Sequence, residues 1–192
     1  MRDENATSLY VLAAICLLLM LAPKDLQTAL YLDLAAFRNG EYWRALSGHF
    51  VHLSWSHCLL NVGGLIVLQQ LYGRHYAHWR WLLPAIITSA SISLALLMFS
   101  QALTWYAGLS GLLMGLFIAA AVNTLKQQPV VSGGVLVLVS LYVIAQQFQG
   151  ELVDHWSGEF ATSTRAHLYG AGGGLLSTLP RLLFTRRSNR SS

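Results

Sequence analysis

Six long apolar stretches, none holding an acidic residue, constrain this chain more than any other feature. They cover residues 8–22, 56–72, 81–100, 108–125, 130–148 and 166–184, and all eight acidic residues (Asp3, Glu4, Asp25, Asp33, Glu41, Glu151, Asp154 and Glu159) lie outside them. A helix crossing the hydrocarbon core needs about 20 mostly apolar residues, and it satisfies its own backbone hydrogen bonds where no water can. The expectation is therefore an all-α membrane protein of six transmembrane helices, a single domain over residues 1–192 with little of it outside the bilayer. Only 10% of the 192 residues are charged and 55% are hydrophobic, whereas about 25% are charged in a soluble domain. The net charge of +4 is small and scattered, so no nucleic-acid partner is expected. Cys16 and Cys58 both fall in apolar stretches and imply no disulfide framework.

The first stretch has an acidic start, and no A-x-A-like cleavage site follows Leu21-Ala22-Pro23. It reads as a helix and not as a signal peptide. An even number of spans puts both termini on one side. That side holds Arg2, Arg74, Arg80, Lys126, Arg181, Arg186, Arg187 and Arg190, while the other holds Lys24, Arg38, Arg44 and Arg165. The excess of positive charge predicts cytoplasmic termini. The outer loop over 24–55 is long for so small a protein and rich in Leu, Phe, Tyr and Trp. It reads as short amphipathic helices lying partly in the outer leaflet. Arg44 there can reach headgroups or cap helix carbonyls.

Polar side chains at membrane depth are expensive and usually functional. Gly108-Leu109-Ser110-Gly111 opens the fourth stretch, and His167 lies in the sixth. Ser110 falls in a first helical turn, where backbone N–H groups lack partners and the positive end of the dipole sits. Gly111-x-x-x-Gly115 and Gly170-x-x-x-Gly174 are small-residue faces that let two helices approach closely, so Ser110 and His167 could meet. Read alone, such glycine-serine patterns are common in membrane helices and can serve packing only. His57 and Asn61 share one helical face at a spacing of i to i+4. They can simply tie two helices together, or they can donate hydrogen bonds to a developing oxyanion. No His-Glu-x-x-His pattern and no intramembrane aspartate is present. His49-x-x-His52 and His75-x-x-His78 have metal-like spacing, and His57 with His167 could in principle ligate haem; neither is required, and no cofactor or metal is expected.

Taken together, Gly40-Glu41-Tyr42-Trp43-Arg44, His52, His57-x-x-x-Asn61, Gly108-Leu109-Ser110-Gly111 and Ala166-His167-Leu168-Tyr169-Gly170-x-x-x-Gly174 resemble, in order, the motifs of the rhomboid family of intramembrane serine proteases. The resemblance implies a six-transmembrane-helix rhomboid-like bundle with a long outer loop between helices 1 and 2. It implies a Ser–His dyad with Ser110 as nucleophile and His167 as general base and then acid. His57, Asn61 and the Ser110 N–H would form the oxyanion hole. Trp43, Arg44, His52, Gly108, Gly111, Gly170 and Gly174 would give structural support. One position departs from many rhomboids: Met114 stands where they often set an aromatic ring against the catalytic histidine, which predicts looser orientation of His167.

A narrower likeness, in the wording around Gly40–Arg44, Trp105–Gly111 and Ala166–Gly170, is to the bacterial rhombosortase branch. It implies membrane-anchored protein substrates with a C-terminal glycine-rich motif, one transmembrane helix and a basic tail, in a Gram-negative inner membrane. The alternative function is a non-catalytic rhomboid-like protein that binds transmembrane helices without cutting them. Such proteins have usually lost the serine or the histidine, and both are present here.

Overall fold

Nine α-helices, joined by short loops and one two-residue strand pair, make up the described part of the computed structural model, which comprises residues 7–75, 78–100, 103–149 and 164–180. Six of the helices fall on the apolar stretches, five of them to within a few residues: α1 (Thr7–Met20), α5 (Trp55–Tyr72), α6 (Leu82–Phe99), α7 (Ser110–Thr124) and α8 (Pro129–Gln149); the sixth, α9 (Thr164–Leu176), starts two residues early and ends well short of residue 184. Three short ones, α2 (Lys24–Leu30), α3 (Leu34–Arg38) and α4 (Arg44–Ser47), form the outer loop. The acidic loop with Glu151, Asp154 and Glu159, the start of the chain with Arg2, and the basic stretch from Arg181 onward lie outside the described residues.

Among the described residues, two helices are long and apolar enough to cross a bilayer, 82–99 with mean hydropathy 2.1 and 129–148 with 1.9. Helices α1 and α7 are apolar but shorter. Helix α5 carries His57, Asn61 and Gln69, and α9 is rich in glycine. These polar and small residues lower the apolar content of the two helices because they face protein and not lipid: His57, Asn61 and Gln69 are buried, as are His167, Gly170 and Gly174. Outward-facing Leu18, Leu60, Ile86, Met98, Leu138 and Phe148 are all exposed. Apolar surface of this extent suits a lipid environment.

Local chemistry sets the helix ends. Ser54 caps α5 by accepting a hydrogen bond from the His57 N–H at 3.2 Å, and Asp33 caps α3 through the N–H groups of Ala35 and Ala36, both at 2.9 Å. Such caps satisfy amides that have no intrahelical acceptor. Pro129 opens α8, at a position where its missing N–H costs nothing. The end of α1 is closed from a distance: buried Gln27 on α2 donates to the carbonyls of Met20 and Ala22 at 3.3 and 2.9 Å.

Polar contacts tie the outer loop down. Arg44 pairs with Glu41 at 2.7 Å and also donates to the carbonyls of Thr28 and Tyr31 at 3.1 and 3.0 Å. It thereby caps the end of α2, and Trp43 beside it is exposed. Ser47 donates to the Leu30 carbonyl at 2.8 Å. An addition to the all-α expectation is the antiparallel pair β1 (Leu32–Asp33) and β2 (Trp105–Tyr106), with Leu32 opposite Tyr106. Two residues are too few to leave an alternating pattern in sequence, and the pairing joins segments far apart in the chain. Its effect is to bolt the outer loop to the segment leading into Ser110.

Behind this loop, His49 is fully buried. Its Nε2 lies 3.1 Å from Ser93 Oγ, whose hydroxyl donates to the Ala45 carbonyl at 2.6 Å. The serine proton is therefore committed, so the histidine must donate from Nε2. Burial pushes the His49 imidazole down to about 4 and that of neighbouring His52 to about 3. Both are neutral in the fold, whereas in an unfolded chain they titrate near 6.5. Their contribution to stability is full above about pH 6.5 and is lost as pH falls through that value towards 4. A thermal melt in detergent should accordingly drop between pH 7 and 4.5, and replacing His49 by Gln should flatten the drop.

Two buried clusters result. Leu9, Cys16, Cys58, Leu65, Leu68, Leu112 and Leu116 join α1, α5 and α7. Leu32, Leu34, Ile92, Leu96, Tyr106 and Ala166 join the outer loop to α6 and α9. Between the clusters, α7 packs directly on α9.

Candidate active site

The α7–α9 contact is backbone against backbone. A Cβ at Gly170 would overlap the Gly111 carbonyl, one at Gly174 would overlap the Gly115 carbonyl, and one at Gly111 would come within 2.8 Å of the Ala166 carbonyl oxygen. The two small-residue faces thus mesh, as close approach of helices requires. Gly173 continues the seam against α6, where a Cβ would meet Ser91 at 2.8 Å.

This seam brings Ser110 and His167 together. Ser110 Oγ lies 2.7 Å from His167 Nε2, although the two residues are 57 positions apart in the chain. His167 is buried. Its other ring nitrogen, Nδ1, is 2.5 Å from Gln146 Oε1 on α8. A neutral imidazole has one donor and one acceptor nitrogen. The amide oxygen of Gln146 can only accept, so Nδ1 carries the proton and Nε2 is left to accept from the serine hydroxyl. Tyr142, one turn before Gln146, sets its ring 5.9 Å from the imidazole at a tilt of 39°. The ring that position 114 lacks is thus supplied from α8.

Ser110 is the first residue of α7, and the preceding segment is clamped on both sides. Gly108 N–H donates to the Gly48 carbonyl at 2.9 Å, and the Tyr106 hydroxyl donates to the Gly108 carbonyl at 2.7 Å. Gly108 has φ +134°, and a Cβ there would lie 2.7 Å from the His57 ring. Only glycine fits both demands, backbone and space. His57 is thereby located against the residue two before Ser110. Its ring also meets that of His52 edge-on, with centroids 5.1 Å apart. Asn61 lies buried one turn further along α5 and donates to the His57 carbonyl at 3.1 Å; its amide has a second N–H beyond that bond.

All of the site residues read from sequence therefore have a place. Ser110, His167, Gly111 and Gly170 meet at one point of the seam, and Gly174 lies one turn along it. His57 and Gly108 adjoin it, with Asn61 and His52 behind. Trp43 and Arg44 belong to the outer loop and not to the site. Among the described residues, no group of three or more His, Cys, Asp or Glu side chains could hold a metal ion. Gln146, Tyr142 and Gly48 carry no sequence motif, and Tyr106, inside the stretch Trp105–Gly111, had no role assigned from sequence. A signal existed for Gln146: it is a polar residue inside an apolar stretch, as informative in principle as Ser110.

The family model for the rhomboid domain matches residues 39–184, which include every residue of this site. No curated protein matches the chain.

Proposed function

Because the chain belongs to the rhomboid family, a family of integral membrane proteins that are generally intramembrane serine proteases acting on membrane-protein substrates, we propose that it is a serine endopeptidase working through a Ser110–His167 dyad. The observation that carries this reading is the 2.7 Å approach of Ser110 Oγ to His167 Nε2.

Ser110 Oγ attacks the scissile carbonyl carbon as its proton passes to His167 Nε2. The C=O π electrons move onto oxygen, and the oxyanion lies among the Ser110 N–H, His57 and Asn61. Collapse expels the amine, which takes the proton from His167. Water, deprotonated by the same histidine, then releases the acyl group and restores Ser110. The dyad lies at a helix–helix seam within the apolar part of the fold, so the substrate helix must unwind locally to present a carbonyl.

Six transmembrane helices in a single domain over residues 1–192, with both termini cytoplasmic, accommodate this site. The likeness to rhombosortases supports substrates anchored by a C-terminal glycine-rich motif, a transmembrane helix and a basic tail, in a Gram-negative inner membrane. Fluorophosphonate labelling of the purified protein in detergent tests the nucleophile. Labelling that requires both Ser110 and His167 is the expected result. No labelling of folded protein, with probe access demonstrated on a second membrane serine protease, would move the reading to the helix-binding alternative. Asn61→Ala should lower turnover by about 10²-fold, as loss of one oxyanion donor does. Unchanged turnover would remove Asn61 from the oxyanion hole.

A further inference from the structure

Helix α8 touches the site at two residues that the dyad reading does not use. It is largely exposed to the apolar surroundings: Val130, Val137, Leu138, Leu141, Ile144 and Phe148 all face outward. Towards α9 it directs Tyr142 and Gln146, which are four residues apart and so share one face. Gln146 Oε1 meets His167 Nδ1, and the Tyr142 ring lies against the imidazole. The next residue, Gln147, fastens the same end of α8 to the start of α9 through the Thr164 carbonyl, at 3.2 Å.

We infer that Gln146 is a positioning residue for His167, taking the place that a carboxylate holds in a catalytic triad, and that Tyr142 completes the cradle. This rests on the dyad reading above. The chemistry is specific. Nε2 can remove the Ser110 proton only while Nδ1 holds the ring proton, and an acceptor on Nδ1 selects that tautomer. As Nε2 takes up the serine proton, the ring becomes cationic. The Nδ1–H bond to Gln146 then becomes charge-assisted and strengthens. An amide does this less strongly than a carboxylate, but it places no permanent charge at membrane depth, where charge is costly.

Gln146→Met is the informative variant, because it keeps length and apolar packing while removing the amide and with it the acceptor. The probe is a fluorophosphonate, with the maximal labelling rate and the half-saturating probe concentration measured separately, alongside the thermal melt in detergent. The expected result is a maximal rate about 10- to 100-fold lower, the range for one lost hydrogen bond to a group that becomes charged. Half-saturation and melting temperature should be unchanged. Gln146→Glu, which restores an acceptor at the same reach, should recover most of the rate, and Gln146→Asn, one methylene short, should not. A purely structural glutamine would show a different pattern: Met and Asn harmless to the maximal rate, with any loss appearing in the melting temperature.

Wild-type labelling rates in Gln146→Met, with Ser110→Ala blank, overturn the inference and leave the dyad standing. Should Gln146→Met fail to fold, Gln146→Glu decides: a rate no better than that of Gln146→Asn overturns it as well. Folded wild-type protein that does not label at all removes both the dyad and its positioning residue.

Discussion

Ser110→Ala should be inactive, with turnover of a membrane-anchored substrate reduced by about 10⁴-fold or more while the protein keeps its melting temperature. Removing either member of a serine–histidine pair costs a serine protease several orders of magnitude, because nucleophile and base act as one unit. The change deletes one oxygen atom at the edge of α7 and leaves the glycine seam intact, so folding is not at stake. His167→Ala should fall equally far. The double variant should be no worse than either single one, which is the signature of two groups sharing one step. The measurement is single-turnover cleavage of a transmembrane substrate reconstituted with the enzyme. Cleavage by Ser110→Ala within tenfold of wild type would sink the mechanism, and additive losses in the double variant would mean that serine and histidine act separately.

Gly170→Val should be as damaging, for a different reason. The added Cβ would overlap the carbonyl group of Gly111 and crowd its Cα, and backbone cannot rotate aside as a side chain can. Overpacking of this kind costs about 1–3 kcal/mol or more, and here the strain falls on the contact that the dyad straddles. Ser110 adjoins Gly111, and His167 is three residues before Gly170 on α9. Even modest separation of α7 from α9 would open the Ser110–His167 hydrogen bond, so labelling should be lost together with stability. Gly172→Ala is the matched control. It lies two residues away on the same helix, with nothing within 4 Å of a Cβ there. It should be neutral or raise stability by about 0.5–1 kcal/mol, as alanine does over glycine inside a helix. A Gly170→Val variant with the wild-type melt and labelling rate would mean that α7 and α9 do not meet at this seam in the membrane.

How much of this could be read from the chain varied with the range of the interaction. The stretch 81–100 and helix Leu82–Phe99 nearly coincide, because apolar length is a local property. The spacing of His57 and Asn61 correctly placed both on one buried face of α5. The outer loop was legible as short helices, but not what holds them. Arg44 looked equally suited to headgroups or carbonyls, and the fold uses it on carbonyls and on Glu41. Met114 suggested a loosely held histidine. The compensating ring and amide come from Tyr142 and Gln146, 21 residues before His167 in the case of the glutamine, and no helical period connects them to it.

By itself, the sequence determined what depends on apolar length and spacing along the chain: which segments are too apolar for water, which glycines could mesh, and which polar residues had no ordinary reason to lie at membrane depth. The tertiary structure decided which of those polar residues meet. Ser110 and His167 lie 57 residues apart, and each is separately compatible with simple helix packing. Only the stacking of α7 on α9, with α8 alongside, turns them into a hydrogen-bonded pair with one defined tautomer. The physical reason is that a hydrogen bond requires two groups within about 3 Å and correctly oriented. Over long separations that condition is set by how helices pack, and packing is settled by all the side chains of a seam together.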